Sequence, residues 1–170
     1  MTVVDVHTHY VPAGWPELPG VGPRPTLRVD SPRSATIMLG ERPFRTVSDT
    51  AWNADVRLCD MAEHGVDRQV LSPTPVFFSY DQSGEAAAVS SAIFNDLALD
   101  IAAQAPGRLI PFCQVPLQDK DAACRELERA VGRGPCRWPG EERPFRVTPP
   151  HGLLEEDSAW AHRARPTGLL

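Results

Sequence analysis

A chain of 170 residues with 42% apolar and 23% charged residues has enough interior for one hydrophobic core and reads as a globular protein. Its formal charge of −5 gives no electrostatic reason to bind nucleic acid or an anionic membrane surface, so neither is an expected partner. No apolar run approaches a membrane span and no basic-then-apolar leader opens the chain, which makes the cytoplasm the expected setting.

Residues 2–9, Thr-Val-Val-Asp-Val-His-Thr-His, predict a short, largely buried strand. Val3, Val4 and Val6 are β-branched, and the Pro/Gly-rich stretch from Pro12 stops the run. Six prolines between Pro12 and Pro32 predict loop to about Arg33. Residues 35–47 predict two short strands joined by a turn near Gly40. Asn53 then predicts the N-cap of a helix with Ala54, Leu58, Met61 and Ala62 on its apolar stripe and Gly65 as its stop. Residues 66–72 predict a strand closed by Pro73 and Pro75. A long helix from about 84 to 104 places Val89, Ile93, Leu97 and Ile101 on one stripe and ends at Pro106-Gly107. Residues 108–115 predict the next strand, Pro111 notwithstanding. The helix after it, capped by Asp119 or Asp121, is expected to bury Ala123, Leu127, Ala130 and Val131.

Alternating strands and helices with short connections predict an α/β fold built from βαβ units, with a parallel sheet and helices packed outside it. A closed (β/α)8 barrel takes about 250 residues, so this chain supplies about three βα units. Composition changes near Arg133. From there to Leu170 there are six prolines and six arginines, no apolar period, and not one Ile, Met, Lys, Asn, Gln or Tyr. The expected division is a partial barrel over residues 1–132 and a divergent, poorly ordered tail over 133–170, as a shifted reading frame or a divergent terminus would produce. Cys59, Cys113, Cys124 and Cys136 have no paired spacing and read as structural thiols.

Side chains alternate along a strand, which puts Asp5, His7 and His9 on one face. His7 and His9 are the candidate metal ligands, since two imidazoles so spaced can reach one ion, and Asp5 could orient them from behind. A strand pair that binds no metal is the alternative. A catalytic zinc ordinarily takes three protein ligands and a water. His64, before Gly65, reads as a helix C-terminal residue, and nothing positions His151 or His162. Arg45 could clamp a substrate carboxylate through its planar fork. Trp52, Phe77, Phe78 and Tyr80 read as packing, although a place just after the second core strand also suits a pocket wall.

The stretch Asp-Val-His-Thr-His-Tyr-Val-Pro at 5–12 resembles the first-strand motif of the amidohydrolase superfamily. Thr36-Ile-Met-Leu-Gly, Phe44-Arg45, Trp52, Met61-Ala-Glu-His-Gly-Val-Asp, the segment from Val70 to Tyr80 and Gln114-Val-Pro-Leu-Gln-Asp119 narrow the match. Together these motifs, over residues 3–132, resemble the 2-amino-3-carboxymuconate-6-semialdehyde decarboxylase family of tryptophan (kynurenine) and nitrobenzoate breakdown. The resemblance implies the N-terminal part of a TIM-like (β/α)8 barrel with a small inserted β-hairpin region near residues 14–48. It assigns His7 and His9 to zinc and Arg45 to the carboxylates of a small-molecule substrate, and it implies homodimers. The implied reaction is non-oxidative loss of CO2 without an organic cofactor, with zinc activating water. The family's third metal histidine lies in a His-Pro-Trp-type motif, and its catalytic histidine and metal-binding aspartate come from later strands. No position here matches them, so no catalytic residue is identified. Two other expectations stand beside this one: another metal-dependent hydrolase of the superfamily, and a non-catalytic truncated product.

Overall fold

The computed structural model describes residues 2–12, 16–20 and 24–133; the predicted tail beyond Arg133, with Cys136, His151 and His162, lies outside them. A parallel sheet forms from β1 (Val4–Tyr10), β5 (Arg68–Pro73) and β6 (Leu109–Pro111), in the order β1-β5-β6. Between β1 and β5 the chain makes β2 (Pro25–Ser31), β3 (Ser34–Leu39) and β4 (Arg42–Ser48), an antiparallel sheet of their own in the order β2-β3-β4. Helices α1 (Ala54–Glu63), α2 (Gly84–Ala103) and α3 (Lys120–Arg133) follow β4, β5 and β6. The result is three βα units, with the inserted sheet interrupting the first.

The insert holds one strand more than the hairpin read from sequence. Residues 25–31 are flanked by Pro23 and Pro32 and begin at Pro25, which argues for loop. Yet Pro25 opens β2 and Pro32 follows it, and β2 lies at the outer side of its sheet. A proline at the start of an edge strand removes no needed ladder bond. The insert is anchored through Ile37, which is fully buried in the main core with Tyr10, Met61, Leu71, Phe77 and Phe94.

β1 is a second departure. Val3, Val4 and Val6 are 44%, 43% and 64% exposed, so the strand is not buried. β-Branching reports the backbone preference correctly, but burial depends on neighbours, and β1 is paired on one side only, by β5. Among the described residues nothing covers its valine face.

Helix α1 shows how local chemistry sets its ends. The Asn53 side chain accepts from the N–H groups of Asp55 and Val56, at 3.0 and 3.2 Å. At the other end Val66 N–H bonds to the Met61 carbonyl and Gly65 N–H to the Ala62 carbonyl, a Schellman arrangement. Gly65 takes φ +68°, a conformation in which a side chain would be strained. Asn53→Ala is expected to destabilise the protein by about 1 kcal/mol in urea unfolding, the usual cost of losing such a cap. Asp119 rather than Asp121 caps α3, accepting from Ala122 N–H at 2.9 Å.

The long helix α2 turns a different face inward from the one its large aliphatic residues suggest. Val89 is 47% exposed, whereas Ala87, Ser90, Ser91, Phe94, Asn95, Ala98, Ile101 and Ala102 are buried. This face meets both the sheet and α3, and small residues let them approach closely. Val131 is likewise 36% exposed, while Glu126 is buried in α3. Pro111 ends β6 after three residues rather than lying within a longer strand. No helix of the described residues is long and apolar enough to cross a membrane.

Candidate metal centre

β1 brings His7 and His9 to its C-terminal end with their ring centroids 5.3 Å apart and their planes at 88°. That separation lets two imidazoles serve one ion. Only the deprotonated ring nitrogen can ligate, so the tautomer decides whether the pair fits. The Ser72 hydroxyl donates to the Thr8 carbonyl at 3.1 Å and lies 3.0 Å from His9 Nδ1. Since the one hydroxyl proton is committed to Thr8, Ser72 Oγ accepts from His9 Nδ1–H. That tautomer carries its lone pair on Nε2.

The electrostatics agree with a neutral ring. Burial lowers the pKa of His9 below its ordinary value, helped by the nearby His7 and, more weakly, by the positive charge of Arg45, while the Pro73 and Ser72 backbone opposes the shift. Neutral imidazole suits zinc or another borderline divalent ion. Among the described residues no third His, Cys, Asp or Glu gathers with them. The pair therefore fits a metal as two of the three protein ligands a catalytic zinc takes.

Asp5 does not join the pair. Four residue steps on β1 separate Asp5 from His9, but only three on β5 separate their partners Gln69 and Ser72, because a bulge lies between Asp5 and Thr8. The extra residue breaks the strict two-residue alternation between Asp5 and His9. Its carboxylate accepts from the His7 backbone N–H at 3.1 Å and from Gln69 Nε2 at 3.4 Å.

Arg45 lies on β4 opposite Ile37, exposed, and within electrostatic reach of His9. A cleft of about 380 Å³ opens beside His9. Its walls include His9, Thr46, Ser48, Thr50, Arg57 and Gln69, with Asp60 at one side. Phe77 is packing, fully buried and stacked on Phe94 with centroids 5.1 Å apart. Phe78 and Tyr80 form their own pair, and Tyr80 is 46% exposed. His64 is the C-cap of α1, with Nδ1 2.9 Å from the Asp60 carbonyl. The Asp60 backbone and carboxylate raise its pKa. Cys59, Cys113 and Cys124 are free thiols, and Cys59 is exposed rather than packed.

Sequence reasoning missed Arg57, which is buried at 6% exposure on α1. The signal was present. Arg57 stands three residues after Ala54 and four before Met61, a charge on the stripe those two define.

The amidohydrolase family model matches residues 4–158. The 2-amino-3-carboxymuconate-6-semialdehyde decarboxylase of Dictyostelium discoideum is 30% identical over 131 residues, covering 75% of this chain and 36% of that protein. The gamma-resorcylate decarboxylase of Rhizobium radiobacter is 35% identical over 78 residues, covering 45% of this chain and 24% of the relative. The apo structure of Metarhizium anisopliae IDCase superposes with a TM-score of 0.62 at 21% identity, covering 80% of this chain and 41% of that one. At that identity the likeness establishes the fold. The chain spans about a third of the length of the curated decarboxylases it matches over most of its own length.

Proposed function

The chain belongs to the amidohydrolase family, and from that premise we propose that it carries the first part of a metal-dependent, non-oxidative decarboxylase of the aminocarboxymuconate-semialdehyde type. The observation that carries the reading is the His7–His9 pair at 5.3 Å, with the Ser72 hydroxyl 3.0 Å from His9 Nδ1. When bound there, a divalent metal such as zinc supplies Lewis-acid polarisation and lowers the pKa of water. His7 and His9 would hold it. Arg45, exposed and close enough to act on His9, would bind a carboxylate of the substrate through paired N–H donors. A cytoplasmic setting accords with three free thiols among the described residues. Assembly as a homodimer follows the resemblance alone.

The described residues hold two ligands where three are needed. The 170-residue chain supplied with zinc is therefore expected to release no CO2 from aminocarboxymuconate semialdehyde. A graft tests the functional reading itself. Residues 1–133 would replace the corresponding segment of the Dictyostelium relative, and CO2 release that depends on His7, His9 and Arg45 is the expected result. A graft that folds and binds zinc but decarboxylates nothing would overturn it.

A further inference from the structure

The bulge in β1 creates a structural problem at the metal pair. An extra residue takes backbone groups off the ladder, so contacts other than the ladder must hold the strand there. Two rings that must converge on one ion need placement to within roughly half an ångström. The described contacts show what holds the segment. Arg57 Nη2 donates to the His9 carbonyl at 2.8 Å, and Nη1 donates to Gln69 Oε1 at 3.0 Å. Gln69 Nε2 in turn donates to Asp5 Oδ2 at 3.4 Å, the longest link. Asp5 Oδ1 accepts from the His7 backbone N–H at 3.1 Å.

One buried guanidinium thus reaches the backbone of both histidines, His9 directly and His7 through two side chains. Arg57 forms no ion pair within 4.0 Å among the described residues; both of its described hydrogen-bond acceptors are neutral. Burial lowers its pKa, against more distant support from Asp60 and Asp5. A charge kept in so costly a place is better explained by geometry than by stability. The planar fork, which presents two donors at a fixed angle, is the property that a lysine lacks.

We propose that Arg57 is a positioning residue for the metal pair, fixing the bulged segment of β1 by binding the His9 carbonyl and, through Gln69 and Asp5, the His7 N–H. This rests on the reading of His7 and His9 as metal ligands. Two measurements on the 170-residue chain separate the two claims. In the first, cobalt(II) is titrated into the chain and into Arg57→Met, Arg57→Lys and Gln69→Leu, with thermal unfolding recorded for each. Loss of an outer partner of a ligand typically weakens metal binding by about 10–100-fold. That loss is expected in Arg57→Met, with partial recovery in Arg57→Lys and a smaller loss in Gln69→Leu. Cobalt affinity equal to the unsubstituted chain in folded Arg57→Met and Gln69→Leu would overturn the proposal, even with a lowered melting temperature. If Arg57→Met does not fold, Gln69→Leu decides in the same way.

The second measurement is amide hydrogen exchange at His7. Exchange about tenfold faster in Gln69→Leu is expected, because Asp5 loses its anchor. Unchanged exchange would overturn the relay to His7. If the unsubstituted chain binds no cobalt, the ligand assignment fails, and this exchange result alone then decides whether the brace exists.

Discussion

Replacing His7 and His9 together by alanine is expected to weaken zinc or cobalt binding by more than about 100-fold, beyond the range that loss of an outer partner produces. The fold should survive. His7 is exposed and His9 only half-buried, and neither belongs to the hydrophobic core. Substitutions at such positions usually change stability by less than about 0.5 kcal/mol. Loss of Ser72 Oγ as the acceptor for His9 Nδ1–H removes the hydrogen bond that sets the tautomer, so Ser72→Ala should fall between the unsubstituted chain and the double alanine. Calorimetric titration beside urea unfolding reads both properties from the same samples. Metal binding that persists in the double alanine variant would move the site elsewhere.

Asn95→Ala is expected to be among the most damaging single substitutions, at about 3–4 kcal/mol in urea unfolding. Asn95 is 1% exposed and serves the loop after β6 from both sides of its amide. Its Oδ1 accepts from the Gln114 backbone N–H at 2.7 Å, and its Nδ2 donates to the Gln114 carbonyl at 2.8 Å. The same Nδ2 donates to Glu126 Oε1 at 2.7 Å. Glu126 is also bound by Arg129, through Nε to Oε2 at 2.7 Å and Nη2 to Oε1 at 2.8 Å. Arg129 continues the network to Asp96 at 2.9 Å. Truncation at Asn95 strands two buried backbone groups at once, each costing about 1–3 kcal/mol when unmade, and leaves Glu126 short of a donor. Ala92→Ser, a half-buried position on the same helix with no described side-chain role, is the matched control. A loss below about 1 kcal/mol in Asn95→Ala would show that water or local rearrangement replaces the amide.

The polar network explains why the sequence reading of α2 and α3 went only part of the way. Helical periodicity located both helices to within a residue or two, because strong caps and a proline-glycine stop bound them. It found Ile101 and Leu97 at the core but placed Val89 there wrongly and missed most of the buried face, because a rule that follows large aliphatic side chains cannot see a contact rich in Ala, Ser and Asn. Glu126 was invisible because a buried acid is identified by its partners, and one of them, Asn95, lies on another helix. β1 shows the converse. Its residues announced a strand, and Val6 points to where a neighbour would pack, but whether one is present is a property of the assembly. The histidine pair was legible from a two-residue spacing. The bulge between Asp5 and Thr8 was not, since register depends on β5 as much as on β1. Arg57 lay between, readable as a misplaced charge but not as a brace.

X-ray absorption at the zinc edge of the metal-loaded chain tests the central claim most directly. Two imidazole ligands per zinc at about 2.0–2.1 Å, with oxygen donors completing the shell, are expected of His7 and His9. A spectrum without imidazole scattering, or one unaltered by the double alanine substitution, would contradict the assignment.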